Sequence, residues 1–241
     1  MMAVSSAMSR LEQMGRQVAI AGSVEGSDPV EREMLRLQTE ARARAAEAKT
    51  QSILGRAAIP PRFSSRRLGT FQAECQGSKR ALAIAVEYSE GFSDVLAQGR
   101  SMLFLGSVGT GKTHLAVGIA HAVIEQGYEA LFSSVLSAIR SVKECYSRDS
   151  QITEAQAIRR LVEPDLLILD EVGLQFGSEA EKLILFEIMN GRYENLKPTI
   201  LLSNLGVAKM EEYLGQRVMD RLREGGGKAV TFDWESYRGR I

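Results

Sequence analysis

The sequence is poor in cysteine, with only Cys75 and Cys145 among its 241 residues. The two lie far apart and in no spacing typical of metal ligands, which argues against a disulfide framework and against a zinc site. Proteins with a few reduced thiols are typical of reducing compartments. We therefore expect a cytoplasmic protein.

Long apolar runs and an excess of charge of one sign are also missing. No stretch approaches the ~18 consecutive apolar residues that a membrane-spanning helix needs. Residues 1–23 lack the cationic start and continuous apolar core of a signal peptide. The 30 basic and 30 acidic side chains cancel, so overall charge predicts no partner. We expect no association with a membrane.

What is present suits a globular protein, with 44% hydrophobic and 25% charged residues. The length allows one sizeable domain with an appendage, or two small domains. Locally, residues 32–67 hold nine Arg or Lys against three Glu. Such a segment fits either a surface that approaches nucleic acid or a solvated helix face.

Two regions follow from the local patterns. Residues 30–54 contain many good helix formers and neither Gly nor Pro, which predicts a long helix. Pro60 and Pro61 then break it. We predict a helical N-terminal region over 1–58 and a second domain over 59–241.

In the second domain strand and helix signals alternate, which favours an α/β fold with a parallel sheet between helices. Strands are expected at 101–105, 129–135, 165–169, 199–203 and 229–232.

The strongest motif is GSVGTGKT at residues 106–113, a full match to the phosphate-binding pattern GxxxxGK[ST]. An apolar strand precedes it and a helix follows, as the motif requires. Its glycines let backbone amides surround phosphate oxygens, and the helix start adds partial positive charge. Lys112 is expected to reach the β- and γ-phosphates, and the Thr113 hydroxyl to ligate Mg²⁺. The predicted nucleotide-binding residues are Gly106, Ser107, Val108, Gly109, Thr110, Gly111, Lys112, Thr113 and His114.

Polar residues end the next two buried strands. LLILDE at 166–171 places Asp170 and Glu171 at a carboxyl end, where ligands bind in open α/β sheets. Asp170 suits Mg²⁺, and Glu171 suits the activation of the attacking water. Asn204 ends TILLSN. If that strand lies between the other two, Asn204 would orient water or sense the γ-phosphate, although an Asn after a strand is also a common turn residue.

Several nucleotide-binding classes are disfavoured by missing motifs. The sequence has no NKxD motif for guanine and no LSGGQ-like signature of transporter ATPases, and it shows no Arg-rich lid of a small-molecule kinase. The remaining class is a P-loop ATPase with an acidic pair, a polar Asn and later arginines.

Four segments together resemble DnaC-type bacterial or phage helicase loaders of the AAA+ superfamily, and their relatives, the IstB-type transposition ATPases. The segments are GSVGTGKTHLA (106–116), DLLILDEVGLQ (165–175), LGQRVMDRLR (214–223) and FDWESYRGR (232–240). The first two indicate only a P-loop ATPase, whereas the last two are typical of these families. The resemblance runs from about Ile59 to the C-terminus.

The resemblance implies an AAA+ core with five parallel strands in the order 5-1-4-3-2, and an N-terminal region that grips the replicative helicase. It implies ATP and Mg²⁺ as cofactors and a DnaB-type hexameric helicase as partner. It further implies ATP-dependent binding of single-stranded DNA and self-association into a helicase-bound spiral. AAA+ proteins usually carry a helical lid after the last strand. Only nine residues, 233–241, follow the last predicted strand here, so we expect no lid and weak activity without partners.

The same matching implies roles for residues outside the phosphate loop. Arg221 falls on the arginine finger, which serves a neighbouring subunit, with Arg217 beside it. Arg238 falls on an arginine that contacts the chain's own nucleotide. Lys143 and Tyr146 lie where loaders contact single-stranded DNA, by phosphate contact and base stacking, although an ordinary amphipathic surface explains them equally well. Asp220 is expected to orient Arg217 and Arg221.

Two other functions fit these residues. An IstB-like helper would bend duplex DNA and bind a transposase. A nucleotide-switched adaptor would need ATP binding but not turnover.

Overall fold

The computed structural model describes residues 29–147, 149–173 and 178–237, and the chain divides into two compact units between Ala48 and Lys49. Helix α1 spans Pro29–Arg56. In its first part Met34 and Leu35 are exposed. Residues 1–28 of the predicted N-terminal region lie outside the described residues. The division precedes the boundary expected after residue 58 because Ile53 and Ala57 are buried in the core of the second unit.

The second unit is built on a five-stranded sheet in which all neighbouring strands are parallel. Its strands are β1 (Met102–Gly106), β2 (Ala130–Ser134), β3 (Leu166–Asp170), β4 (Thr199–Ser203) and β5 (Lys228–Phe232). Their order is β2-β3-β4-β1-β5. This is the predicted order read from the other edge, so the predicted fold class is confirmed.

Helices cover both faces of the sheet. They are α2 (Gln76–Glu90), α3 (Phe92–Ala97), α4 (Lys112–Glu125), α5 (Val135–Lys143), α6 (Glu154–Val162), α7 (Glu179–Glu194), α8 (Val207–Leu214) and α9 (Gln216–Arg223). Successive strand residues face opposite cores, as in Phe104 toward α4 and Leu105 toward α7. The segment 207–223 forms two helices, and Gly215, at a φ of 78°, lies between them.

A buried arginine ties together the amino ends of β3 and β4. Arg192 on α7 is 1% exposed. Its guanidinium donates to the Thr199 hydroxyl at 2.9 Å and to the Pro198 carbonyl at 2.6 Å. It also donates, at 3.0 Å each, to the carbonyls of Leu161, Val162 and Pro164. Burial lowers the pKa of Arg192 to about 9. One side chain therefore donates to four carbonyls and one hydroxyl at this corner.

No helix within the described part of the chain is long and apolar enough to cross a membrane.

Candidate nucleotide-binding site

The loop between β1 and α4 is already folded around the Lys112 side chain. Its ammonium donates to the carbonyls of Gly106 at 2.6 Å and Ser107 at 2.7 Å, and the Thr110 hydroxyl donates to the Ser107 carbonyl at 2.8 Å. Gly106 has a φ of 141°, and a Cβ there would lie 2.1 Å from the Phe232 carbonyl oxygen. Glycine is required at that position because β5 passes so close to the loop. The motif residues therefore form one compact turn at the carboxyl end of β1.

The two predicted metal ligands lie side by side. The Thr113 hydroxyl donates to Asp170 Oδ2 at 2.9 Å, and Asp170 Oδ1 accepts the Glu171 amide at 2.7 Å. Hydroxyl and carboxylate oxygens are the ligands that Mg²⁺ prefers. That ion commonly takes one or two protein oxygens and completes its shell with phosphate oxygens and water. The pair therefore fits a nucleotide-bound Mg²⁺ ion.

Glu171 stands next to this pair in a strained conformation. Its φ is 63°, a left-handed value that costs a non-glycine residue about 1 kcal/mol or more. Neighbouring groups hold the turn: the Ser203 hydroxyl donates to the Val172 carbonyl at 2.5 Å, and the Val172 amide donates to Leu202. Ser203 was not among the predicted site residues. Its only signal is a polar side chain ending an apolar strand.

The exposed residue Asn204 follows β4, which lies between β1 and β3 in the sheet. It therefore stands at the carboxyl edge between the phosphate loop and the acidic pair, as the sequence predicted. Its contact with water or phosphate stays a prediction.

His114, in the first turn of α4, contacts residues 67–71, a segment of the second unit that precedes α2. Its Nε2 lies 3.1 Å from the Thr70 hydroxyl and 3.0 Å from the Arg67 carbonyl. Its ring meets Phe71 edge to face at 5.3 Å. Burial lowers the pKa of His114. The histidine thus fastens this segment beside the loop, and its contact with nucleotide stays a prediction.

The predicted interface arginines lie away from this chain's own loop. A cavity lined by Ser101, Thr199 and Arg221 marks the amino ends of β1 and β4, whereas the phosphate loop follows the carboxyl end of β1. Arg217 is exposed on α9. The expectation that Asp220 orients these arginines is wrong, because its carboxylate pairs instead with Arg223 at 3.4 Å. Arg238 lies outside the described residues.

The predicted DNA contacts are both engaged by carboxylates of the same chain. Lys143 Nζ lies 2.6 Å from Glu181 Oε1, and the hydrogen bond from Lys143 lowers the pKa of Glu181. The Tyr146 hydroxyl donates to Glu154, which raises the pKa of Tyr146 to about 12. A DNA phosphate would have to displace Glu181 from Lys143, whereas the exposed Tyr146 ring could stack on a base with its hydroxyl still bonded to Glu154.

Comparison with known proteins agrees with this geometry. The family described as IstB-like ATP binding protein matches residues 64–240. The replicative helicase loader DnaC of Escherichia coli strain K12 is 36% identical over 193 residues, 80% of this chain and 77% of that protein. The crystal structure of the DnaC helicase loader superposes with a TM-score of 0.64 at 23% identity, covering 71% of this chain and 99% of the other.

A second solved structure links the fold to nucleotide and DNA. The replication initiator DnaA bound to AMPPCP and single-stranded DNA has a TM-score of 0.61 at 25% identity, over 74% of this chain and 52% of the other. These likenesses associate the fold with ATP-binding proteins of DNA replication.

Proposed function

Because this chain belongs to the family of IstB-like ATP binding proteins and to that of the replicative helicase loader DnaC, we propose that it loads a replicative helicase onto DNA. In this function it binds a hexameric DnaB-type helicase and delivers it to single-stranded DNA at the initiation of replication. ATP binding and hydrolysis control the delivery.

The observation that carries the ATP-dependent part is the 2.9 Å contact between Thr113 and Asp170. It joins the phosphate loop to the acidic strand from 57 residues away in sequence. Beside it, Lys112 is 7% exposed and hydrogen-bonded to loop carbonyls. An incoming γ-phosphate would compete for this ammonium, since a charge-assisted bond to phosphate is stronger than one to a neutral carbonyl.

Hydrolysis is the second part of the proposal. Water attacks the γ-phosphorus, the bond to the β–γ bridging oxygen breaks, and ADP and phosphate are released. Glu171 accepts the water proton, and Asn204 orients the water. The bound Mg²⁺, held by Thr113 and Asp170, would neutralise phosphate charge.

Assembly and DNA binding form the third part. Arg221 serves the nucleotide of a neighbouring subunit, with Arg217 supporting the contact. ATP binding orders this interface and raises affinity for single-stranded DNA at Lys143 and Tyr146. Hydrolysis weakens that affinity and releases the helicase. The N-terminal region, residues 1–58, binds the helicase.

The test is co-purification of the full chain with the host's replicative helicase, with and without ATP. We expect a stoichiometric complex with the unmodified chain. We expect deletion of residues 1–48, which leaves the core residues Ile53 and Ala57 in place, to abolish it, while the control Lys209→Ala, at an exposed lysine, leaves it intact. No binding to any replicative helicase, with the deletion making no difference, would overturn the proposal. Capture of a transposase instead would support the transposition helper.

Two variants separate a turnover-dependent loader from an adaptor. Lys112→Ala is expected to abolish nucleotide binding and loading. Glu171→Gln is expected to keep ATP binding and the helicase complex but to block helicase release. Full loading by Glu171→Gln would show that turnover is unnecessary.

A further inference from the structure

The chain after β5 returns to the phosphate loop and holds its outer side. The Trp234 indole N–H donates to the Thr110 carbonyl at 3.1 Å, and the Tyr237 amide donates to the Gly109 carbonyl at 3.0 Å. These are consecutive carbonyls in the middle of the loop. We call residues 233–237 the tail clamp.

The tail clamp is itself firmly seated. The half-buried Trp234 ring lies 4.9 Å from the ring of Phe232 in the core. On its other side the ring packs on Gly77 at the start of α2, where a Cβ would approach Trp234 to 3.0 Å. The Tyr237 hydroxyl donates to the Gln72 carbonyl at 3.2 Å. The donor groups therefore belong to a scaffold that the core and the preceding segment hold in place.

The direction of these bonds matters because of peptide geometry. In a trans peptide group the carbonyl of one residue and the amide N–H of the next point in opposite directions. Holding the Gly109 carbonyl outward therefore turns the Thr110 amide to the other side of the loop. Holding the Thr110 carbonyl outward does the same for the Gly111 amide. Inward-turned amides of this loop are the groups that bind phosphate oxygens.

We propose that the tail clamp preorganises the phosphate loop, and that Trp234 is a positioning residue for nucleotide binding. It acts through the Thr110 carbonyl and does not touch the nucleotide. A loop held in its binding conformation loses less conformational entropy when phosphate arrives, which raises affinity. This inference rests on the proposed ATP binding and adds to it the residue that prepares the site.

The test is Trp234→Phe, which removes the indole N–H and keeps an aromatic ring on Phe232 and Gly77. We expect the Kd for ATP, measured by calorimetry, to rise about fivefold, the effect of one neutral hydrogen bond. ADP affinity should fall similarly, since both nucleotides use the loop. In hydrolysis assays KM should rise while kcat changes by less than about twofold, because the clamp aids ground state and transition state alike.

The matched control is Tyr128→Phe, a half-buried ring beyond the far end of α4, for which we expect an unchanged Kd. A wild type that binds no ATP would overturn the proposed function. A wild type that binds ATP, with Trp234→Phe binding equally well, would overturn the clamp alone. So would a fall in kcat with unchanged KM.

A measurement on the unmodified chain keeps the proposal falsifiable if Trp234→Phe does not fold. Trp234 is the only tryptophan in the sequence, so its fluorescence reports on the clamp alone. We expect ATP and ADP to change its emission saturably, with the Kd found by calorimetry. An emission unchanged at saturating nucleotide would overturn the coupling between clamp and loop.

Discussion

The guanidinium carbon of Arg221 lies 5.0 Å from the ring centroid of Tyr193, on α7 of the same chain. The Phe186 ring, two turns earlier on the same face of that helix, lies at 5.6 Å, and the Tyr193 hydroxyl donates to Glu224 at 2.6 Å. Arg221 Nη1 is buried with no hydrogen-bond partner among the described residues. An unpaired buried donor is unfavourable, and the proposed role of Arg221 at a subunit interface would give this group a phosphate oxygen as its partner.

The first prediction concerns that exchange. Arg221→Ala should leave ATP affinity within about twofold and reduce hydrolysis stimulated by helicase and DNA by ~10³-fold, because an arginine finger stabilises charge that develops in the transition state. Radiolabelled phosphate release and calorimetry measure the two effects. Arg223→Ala, on the same helix but paired with Glu211 at 3.2 Å, is the control. Equal loss of binding and hydrolysis in Arg221→Ala would contradict the assignment.

A second prediction concerns DNA. Lys143→Ala should weaken ATP-dependent binding of single-stranded DNA several-fold and lower the salt-dependence slope by about one, as the loss of one phosphate contact would. Fluorescence anisotropy over a salt series gives both values. As a control, Lys182→Ala removes another exposed lysine that is paired with a carboxylate, here that of Glu179. This variant should leave the slope unchanged. An unaltered slope in Lys143→Ala would make this surface an ordinary amphipathic helix face.

The third prediction concerns Arg192 and stability. Arg192→Leu removes the arginine donor from five oxygens, of which the Pro198 carbonyl keeps its bond from the Leu167 amide. Buried acceptors without partners are costly, so we expect the free energy of unfolding to fall by about 3 kcal/mol or more. Urea unfolding followed by circular dichroism measures it. The exposed control Arg217→Ala should change stability by less than about 0.5 kcal/mol. A similarly small change in Arg192→Leu would refute this role.

The fourth prediction is a pH dependence from His121. Burial, followed by the nearby Arg67, lowers the pKa of His121 to about 4 from 6.5. The folded state therefore favours the neutral ring. The contribution of the neutral ring to the free energy of unfolding is fully present above pH 6.5. It is lost as the pH falls from 6.5 toward 4, at up to about 1.4 kcal/mol per pH unit.

His121→Leu provides the comparison for that window. The variant should lose less stability between pH 6.5 and 4 than the wild type, because it has no ring to protonate. Urea unfolding at several pH values measures the difference. Identical pH profiles of the wild type and the variant would mean that His121 has the same pKa in the folded and unfolded states.

Local sequence determined much of this protein. GSVGTGKT is contiguous, so its loop was predictable, and apolar runs broken by polar residues located the five strands. Their order followed from the family resemblance, not from the runs themselves. Local patterns failed to predict which neighbour a charged residue pairs with, as the pairing of Asp220 with Arg223 shows.

Tertiary structure alone decided the contacts between distant segments. Arg192 meets the Leu161 carbonyl across 31 positions, and Trp234 meets the Thr110 carbonyl across 124. Composition and periodicity carry no signal for such pairs, because each depends on which strands become neighbours and how closely their ends approach. Motifs therefore identify an ATP-binding protein from sequence, whereas the packing of β5 beside β1 brings the tail clamp to the phosphate loop.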